Sequence, residues 1–358
     1  MTYTVGFIGT GPEPEVQDWG NSAAMAYRHA PGYQRLENCE IVACADIVRE
    51  NAEDFAAEFG IDDENVFEDS VEMLETVEPD VVSVSTPVPT HAPIVLDALK
   101  TGVLEAIHCE KPMATTWGDA RLMAQEADRR DVQLTFNHQR RMAPPWRDAK
   151  DLLDEGAIGA LERIEVSCGE LLDNATHYID LANMYNGERQ PEWVLGNVDY
   201  REEHVKYGAH NENQGLAQWA YGNGVHGLAA TGYGEDFVGA TVRLEGTEGE
   251  IRVNPGWGGD DPLTYRSADT NGWEAAGTTE TDATAIELAI EHLIGCLDDG
   301  TEPELSARHA LSTTEVIFAA WESARKRGRV DLPLRIDDNP LEAMVESGEL
   351  TPEPADED

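Results

Sequence analysis

Positive charge is scarce in this chain. Among 358 residues, lysine and arginine together number 25 against 70 aspartates and glutamates, which gives a formal net charge of −45 at pH 7. The lysines are Lys100, Lys111, Lys150, Lys206 and Lys326. Such a surface repels phosphates and anionic headgroups, because it offers no basic patch that would release their counterions. We therefore expect neither nucleic acid nor a membrane as a partner.

The acidic residues are spread along the whole chain and are not gathered in one tail. A uniformly acidic surface suits concentrated salt, because screening by mobile ions removes most of its self-repulsion. We therefore expect a halophilic source organism.

Long apolar runs and close cysteine pairs are also missing. No apolar stretch approaches the roughly 20 residues of a membrane-spanning helix, and no secretory signal is visible at the N-terminus. Five separated cysteines indicate buried thiols in a reducing compartment, and the scattered histidines form no H-E-x-x-H motif. We expect a cytoplasmic protein without a metal site.

The chain is long for a single core, so two domains are expected. Residues 1–136 alternate short apolar runs with helical patterns. Strands are predicted over residues 4–8, 40–45, 65–67, 80–84, 104–108 and 132–136, and helices near 21–30, 49–59, 70–77, 91–100 and 116–129. This alternation predicts an α/β domain with a doubly wound parallel sheet, a dinucleotide-binding domain of the Rossmann type.

The pattern changes after this domain. Residues 137–344 predict an α+β domain, and residues 345–358 predict an acidic, disordered tail. The predicted elements of the second domain are helices over 145–155, 171–186, 285–297 and 307–327, and strands over 161–167, 238–244 and 250–253.

The first predicted strand leads into Gly9-Thr10-Gly11, the beginning of a dinucleotide-binding turn. Such a turn places a third glycine three residues later, where this chain has Pro14. Either the two glycines belong to an ordinary surface turn, or the loop is longer and the helix begins at Gly20-Asn21-Ser22. In the second case Asn21 or Ser22 would cap the helix, whose amides would face a pyrophosphate. The loop alone does not decide between them.

The second predicted strand ends in Asp46. A carboxylate there can accept hydrogen bonds from both ribose hydroxyls of the adenosine and would repel a 2′-phosphate, which favours NAD over NADP. Asp46 lies 35 positions after Gly11, whereas about 20 is typical, and a lengthened first loop accounts for the surplus. Arg49, close by, keeps NADP as an alternative.

Several further segments occur in a recognisable order. They are STPVPTHAPIVLDAL (85–99), CEKPMATT (109–116), NHQRRMAP (137–144), ELLDNATHYIDLANMY (170–185), LEGTEGEIRV (244–253) and the region 306–334. Together they resemble the glucose-fructose oxidoreductase/inositol dehydrogenase family, Gfo/Idh/MocA, over nearly the whole chain. Some members have a longer first loop before H-A-x-x-Y, which is His29 to Tyr33 here, so the resemblance favours the lengthened loop.

The resemblance implies an NAD(P)-dependent oxidoreductase that transfers hydride between nicotinamide and a carbinol carbon of a sugar, inositol or related polyol. It also implies that the second domain is built on a large mixed or antiparallel sheet, binds substrate and joins subunits in a homodimer or homotetramer. Two alternatives are a redox-neutral, NAD-dependent glycoside-cleaving enzyme and a non-catalytic dinucleotide-binding protein.

Glu110 and Lys111 follow the fifth predicted strand. By resemblance, Lys111 lies beside the nicotinamide and touches the substrate hydroxyl, and Glu110 contacts the nicotinamide-side ribose. An ammonium next to an alcohol stabilises negative charge that develops as the proton leaves. The alternative is a solvated lysine at a strand end.

Asp173 and His177 are four positions apart in a segment with a helical pattern, so both should project from one face. A carboxylate orients an imidazole, which can take a proton from an alcohol. In the family, Asp-x-x-x-His supplies these groups, and we predict catalytic and substrate-binding roles for both. The alternative is a pair that only stabilises a helix surface. The family often has a glycine between the two, which this chain lacks.

The remaining predicted contacts come from the same resemblance. The cofactor set is Gly9, Gly11, Gly20, Asn21, Asp46, Thr86, Pro87, His91, Glu110 and Asn137. The predicted substrate set is Lys111, Arg141, Asp173 and His177, although Arg141 could instead join the two domains.

Overall fold

The computed structural model describes residues 2–14, 24–254 and 261–354. The chain divides into two compact units. The first unit comprises residues 1–115, 119–139 and 283–310, and the second comprises 116–118, 140–282 and 311–358. Within the described part of the chain, no helix combines the length and apolarity that crossing a membrane requires.

A six-stranded sheet forms the centre of the first unit. Its strands are β1 (Tyr3–Ile8), β2 (Cys39–Ala45), β3 (Val66–Phe67), β4 (Val81–Val84), β5 (Ala106–Cys109) and β6 (Gln133–Phe136). They lie in the order β3-β2-β1-β4-β5-β6, and every neighbouring pair is parallel. The predicted doubly wound sheet is thus confirmed. The strand order reverses between β1 and β4, which opens a crevice at the carboxyl ends of the strands.

Six helices belong wholly or largely to the first unit. They are α1 (Ala26–Gln34), α2 (Arg49–Phe59), α3 (Ser70–Val77), α4 (His91–Thr101), α5 (Trp117–Arg130) and α8 (Ala285–Asp299). Helix α8 contributes Ile290 and Leu293 to the core that includes Phe7 and Tyr33. Residues 283–310 therefore pack in the first unit, although their position in the sequence had assigned them to the second domain.

Helix α1 begins later than predicted, at Ala26, and continues through Pro31 to Gln34. Its N-cap is Met25, whereas the predicted capping residues were Asn21 and Ser22. Gly20, Asn21 and Ser22 lie outside the described residues. The helix extends past Pro31 because it is held against α8, where a Cβ on Gly32 would lie 2.6 Å from Ile290 Cδ1.

The second unit is built on a nine-stranded sheet in the order β16-β15-β14-β13-β7-β12-β11-β8-β17. The strands are β7 (Leu161–Cys168), β8 (Pro191–Asp199), β11 (Gln214–Tyr221), β12 (His226–Thr231), β13 (Val242–Gly246), β14 (Gly249–Val253), β15 (Leu263–Ser267), β16 (Glu274–Ala275) and β17 (Val330–Asp331). Strands β7 and β12 pair in parallel and the other pairs are antiparallel, which confirms the predicted mixed sheet. A separate hairpin joins β9 (Val205–Lys206) to β10 (Ala209–His210).

One face of this sheet is buried. Ile164, Trp219, Leu244 and Ile251 are fully buried on it. The helices of the second unit are α6 (Trp146–Asp154), α7 (Ala175–Tyr185), α9 (Ala307–Lys326), whose first turn lies in the first unit, and α10 (Pro340–Glu346). Helix α7 packs on β7 and β12, and α6 packs on β14.

Two predictions about the second domain need correction. The strand expected over 238–244 begins only at Val242, because Gly232–Phe237 form a short 3₁₀ helix. The tail expected to be disordered from residue 345 is ordered in its first part, since Glu353 exchanges backbone hydrogen bonds with Arg201 and Glu203. Backbone pairing of this kind needs no apolar side chains. Residues 355–358 lie outside the described residues.

Charged residues cross strands β7, β13, β14 and β15 in what we call the arginine ladder. Its members are Arg163, Glu165, Arg243, Glu245, Glu250, Arg252 and Arg266. Glu250, only 2% exposed, lies 2.9 Å from Arg243 Nε, 2.7 Å from Arg252 Nε and 2.8 Å from Arg266 Nη2. The ladder therefore holds four of the chain's scarce cations in one network.

Candidate functional site

The candidate cofactor residues follow successive strands of the first unit. Gly9 follows β1, Asp46 follows β2, Glu110 follows β5 and Asn137 follows β6. Because the strands are parallel, these residues meet at one edge of the sheet, around the point where the strand order reverses. The structure thus brings together most of the predicted cofactor set.

The first loop requires glycine. Gly9 and Gly11 have φ values of 79° and 66°, which favour a residue without a Cβ. A Cβ on Gly9 would also lie 2.3 Å from Thr86 Cγ2, so the loop approaches the turn after β4 very closely. The predicted Gly20 and Asn21 contacts lie outside the described residues.

Asp46 is bonded to the same loop. Its Oδ2 accepts a hydrogen bond from the Gly11 amide at 2.9 Å, and its Oδ1 accepts one from the Val48 amide at 2.9 Å. Ile47 beside it is 89% exposed. Arg49 donates to Glu53 Oε1 at 2.8 Å and to the Val66 carbonyl at 3.2 Å, so its guanidinium is already engaged.

The turn after β4 fits a polar ligand. Ser85 Oγ and Thr86 Oγ1 are buried and find no hydrogen-bond partner among residues 2–14, 24–254 and 261–354. Pro87 is exposed beside them. Together with the glycine loop and the Asp46 carboxylate, these hydroxyls provide a crevice whose donors and acceptors fit a dinucleotide.

Glu110 is the buried carboxylate of this edge, with 6% exposure. Its Oε1 accepts hydrogen bonds from His29 Nε2 at 2.8 Å and Asn137 Nδ2 at 2.6 Å. Burial alone would raise the pKa of Glu110, but the His29 bond and charge, Asn137 and Lys111 outweigh it and lower the pKa to about 2. Glu110 is therefore ionised next to the half-buried Lys111, as the predicted roles require.

Sequence reasoning did not select His29 or His108, both fully buried. His29 Nδ1 contacts Ser83 Oγ at 2.8 Å, and His108 Nδ1 contacts Thr135 Oγ1 at 2.9 Å. Burial, followed by the charge of His29, lowers the pKa of His108 to about 3, so His108 is neutral. The H-A-x-x-Y segment contained the signal for His29, but its partners come from distant strands.

His91 was predicted to bind the cofactor, and that role stays a prediction. Its ring is fully buried, with Nδ1 2.9 Å from the Pro112 carbonyl and Nε2 2.8 Å from the Thr86 carbonyl. Burial lowers the pKa of His91, so the neutral ring donates to one of the two carbonyls at a time. His91 thus connects the turn after β4 to the segment after β5.

In the second unit, Asp173 and His177 lie in a buried segment. Helix α7 begins at Ala175 with Asn174 as its N-cap, so Asp173 precedes the helix and only His177 lies within it. The two residues are 8% and 4% exposed, and every residue of α7 is buried. The alternative of a solvent-facing stabilising pair is therefore ruled out by burial.

Lys206 was not predicted and lies beside this segment. Its Nζ donates to Glu170 Oε1 and lies 3.7 Å from Asp173 Oδ2. Burial lowers the pKa of Lys206, but Glu170 and then Asp173 outweigh this and raise it, which keeps the ammonium charged. The scarcity of lysine was the available signal, although no sequence spacing connects Lys206 to Asp173.

Arg141, predicted to bind substrate, makes its side-chain contacts within the second unit. It is fully buried and its guanidinium donates to both carboxylate oxygens of Asp180, to the Asp180 carbonyl and to Glu188. These acceptors occupy all three of its nitrogens, so the geometry does not favour direct substrate contact. Arg141 instead clamps α7 through Asp180.

Two models of one oxidoreductase family match the chain. Residues 15–138 match its NAD-binding Rossmann fold, and residues 162–332 match its C-terminal alpha/beta domain. The two matches together cover most of the chain, so the chain belongs to the Gfo/Idh/MocA oxidoreductase family. The resemblance inferred from the motifs is thus confirmed.

Individual relatives agree with this assignment. D-apiose dehydrogenase of Paraburkholderia graminis is 25% identical over 357 residues, covering 89% of this chain and 90% of that protein. The scyllo-inositol 2-dehydrogenase (NAD(+)) of Bacillus subtilis is 26% identical over 337 residues, covering 87% and 94%. A solved structure of aldose-aldose oxidoreductase from Caulobacter crescentus, complexed with glycerol, has a TM-score of 0.75 at 18% identity, covering 93% of this chain and 100% of that one, and shares the fold. The predicted enzyme class, an NAD(P)-dependent oxidoreductase, is confirmed.

Proposed function

We propose that the protein is a dehydrogenase that oxidises a carbinol carbon of a neutral sugar, inositol or related polyol with NAD. The observation that carries this proposal is Glu110, ionised and fixed by His29 and Asn137, next to Lys111 at the edge of an NAD-binding sheet. The relatives' names, both dehydrogenases, support it over redox-neutral glycoside cleavage and over a non-catalytic role.

The proposed chemistry divides the work among three side chains. Bound NAD would supply the hydride acceptor. Lys111 stabilises negative charge on the substrate oxygen, and His177 takes the hydroxyl proton. Asp173 orients the imidazole and binds a substrate hydroxyl.

A neutral substrate is supported by the charges around Asp173. Glu170, Asp173 and Lys206 together carry one net negative charge, which would repel a sugar acid. The experiment is a panel of sugars, polyols and sugar acids assayed with both cofactors in molar salt. Turnover of neutral polyols or sugars with NADH formation supports the proposal, and turnover confined to acids, or glycoside cleavage without net NADH, contradicts it.

The preference for NAD over NADP rests on Asp46 and Arg49. The carboxylate already accepts two backbone amides and can bind ribose hydroxyls. Arg49, the candidate for a 2′-phosphate, donates instead to Glu53 and Val66. The same assay with NADP in place of NAD tests this preference.

We further propose a cytoplasmic protein that works in concentrated salt, without nucleic acid as a partner. The net charge of −45 supports the need for salt and the absence of nucleic acid, because unscreened carboxylates repel each other and any polyanion. Unfolding in dilute buffer that molar KCl reverses is the expected result. Full stability in dilute buffer would contradict the salt requirement.

A homodimer or homotetramer is proposed through the open face of the nine-stranded sheet. Leu195 of β8 and Leu216 of β11 are 45% and 40% exposed there, which is unusual for leucines in central strands. A second copy would bury them. Light scattering should give at least a dimer mass, and Leu216→Arg should reduce it.

A further inference from the structure

The segment 170–174, here called the catalytic segment, reaches α7 through a non-helical turn. Its backbone amides therefore lack the carbonyl partners that a helix would provide. Two of them are satisfied by the side chains of the two residues that directly follow strand β10. The Asp173 amide donates to Asn211 Oδ1 at 3.1 Å, and the Leu171 amide donates to Glu212 Oε1 at 2.8 Å.

Both acceptors are fully buried and are themselves held in place. Asn211 Nδ2 donates to the Ala209 carbonyl at 3.1 Å, which fixes the orientation of the amide. Glu212 Oε1 also accepts from Thr231 Oγ1 at 2.9 Å, and Oε2 accepts from Trp321 Nε1 at 3.1 Å. The pair thus connects the catalytic segment to β12 and α9.

The packing leaves Glu212 little freedom to move. A Cβ on Gly215 would lie 3.0 Å from Glu212 Oε1 and 2.9 Å from Thr231 Oγ1, so β11 has no space for a side chain there. A carboxylate confined in this way imposes its own position on the amide it binds.

We propose that Asn211 and Glu212 are positioning residues that fix the backbone at Leu171 and Asp173, and thereby aim the Asp173 carboxylate for catalysis. This inference rests on the proposed function, because it takes Asp173 and His177 as the groups that bind and deprotonate the substrate. Both act through the backbone and neither touches the substrate.

The charge state of Glu212 affects the strength of its hydrogen bond with the Leu171 amide. Burial raises its pKa to about 7, although four hydrogen bonds oppose the shift. The groups that interact with its charge are Cys168 of β7 and Tyr200, whose pKa values burial also raises, so both are neutral at pH 7. Glu170, Asp173 and Lys206 are the charged groups on the side of the catalytic segment.

Four hydrogen-bond donors surround the Glu212 carboxylate. Protonation of Glu212 turns one of its acceptor oxygens into an O–H donor, which then faces another N–H or O–H donor. The carboxylate form therefore holds the Leu171 amide better than the acid form. Activity should rise with pH through about 7 as Glu212 ionises. Glu212→Gln, whose amide also presents one donor, mimics the acid form.

The experiment compares Asn211→Ala and Glu212→Gln with the wild type. The control is Glu203→Gln, a substitution of an exposed residue two positions before strand β9. Steady-state kcat and KM, NADH binding by fluorescence and thermal midpoints are measured in molar salt. We expect Asn211→Ala to lower kcat about 10- to 100-fold, the cost of a misplaced catalytic group, with NADH affinity within twofold of wild type. Glu212→Gln should lower kcat at pH 8 and reduce the rise between pH 6 and pH 8, because one of the ionisations that can produce it is removed.

The inference is overturned if Asn211→Ala keeps kcat within twofold, or if the pH profile of Glu212→Gln superimposes on that of wild type. Should Asn211→Ala fail to fold, the profile of Glu212→Gln decides alone. Asp173→Asn is measured alongside as the reference. If Asp173→Asn is as active as wild type, the proposed function itself has failed; if it is inactive while the other variants are normal, only the positioning role has failed.

Discussion

The two units hold their candidate carboxylates in different ways. In the first unit, side chains hold the charge itself, since His29 and Asn137 donate directly to Glu110 Oε1. In the second unit, the structure holds the backbone of Asp173 through Asn211, and the carboxylate lies 3.7 Å from a half-exposed Lys206.

This difference matches what each half must recognise. A dinucleotide has the same structure whatever the substrate, so the residues that bind it can be fixed in position by buried side chains. A polyol site must fit one hydroxyl pattern among many, and an anchor through the backbone keeps the chain in place while the surrounding side chains vary. The comparison predicts that the two halves fail in different ways when they are altered.

Lys111→Ala should have the largest effect. Removing the ammonium removes stabilisation of the substrate oxygen, and we expect kcat to fall about 10³-fold, the upper range for loss of one oxyanion donor. NADH affinity should change little, because Lys111 is proposed to act on the substrate. The measurement is single-turnover kinetics with NADH fluorescence titration, and Lys100→Ala, an exposed lysine of α4 paired with Asp97, is the control.

Retention of wild-type turnover by Lys111→Ala would contradict the catalytic role proposed for Lys111 of the first unit. It would show that the Lys111 ammonium is not needed for the chemical step.

Asp173→Asn should follow, with kcat about 10²-fold lower, as expected for one member of a general acid–base pair. The amide keeps the side-chain shape but not the charge that is proposed to orient His177. NADH affinity should again be unchanged, and Asp199→Asn in β8 provides a control of the same chemical type in the second unit. A variant that lost NADH binding instead would contradict the division between the two halves.

Glu110→Gln tests the first unit through its effect on the free energy of unfolding. The pKa of Glu110 falls from its ordinary 4.5 to about 2 on folding, so the ionised form contributes about 3 kcal/mol at neutral pH. That contribution is present above pH 4.5 and is lost as the pH falls through about 2. Chemical denaturation in molar salt should show wild type about 3 kcal/mol more stable than the variant at pH 7, with the difference shrinking between pH 4.5 and 2.

The exposed Glu58→Gln on α2 should shift stability by less than about 0.5 kcal/mol across the same range. Equal behaviour of the two variants would show that His29 and Asn137 do not stabilise the ionised Glu110.

Asp46→Ser should give the smallest effect, a change in cofactor preference. Loss of the carboxylate removes acceptors for ribose hydroxyls and repulsion of a 2′-phosphate, so the ratio of kcat/KM for NAD to that for NADP should fall about tenfold. Steady-state assays with both cofactors measure it. An unchanged ratio would show that Asp46 only closes the first loop.

The fold of the first unit was largely predictable, because parallel strands are short apolar runs whose ends are visible locally. Placing Asp46, Glu110 and Asn137 at strand ends sufficed to predict that they meet at one edge. The start of α1 was less accessible, since its position depends on packing against α8, more than 250 positions later.

The second unit was harder to predict for physical reasons. Strands such as β11 (QGLAQWAY) and β12 (HGLAAT) have small residues on both faces, so the two faces differ little in hydrophobicity. The catalytic segment looks helical from residue 171, but acceptors some 40 positions away, on Asn211 and Glu212, hold its first residues in a turn. No local pattern encodes such a bond.

The arginine ladder has a consequence for how the second unit comes apart. The chain has 70 aspartates and glutamates against 25 lysines and arginines, and dissolved cations screen the repulsion among the unpaired carboxylates only while the buffer is concentrated. Glu250 has guanidinium groups as built-in counterions, which dilution cannot remove. On transfer to low salt, amide hydrogens of β13, β14 and β15 should therefore be among the last in this unit to exchange with deuterium.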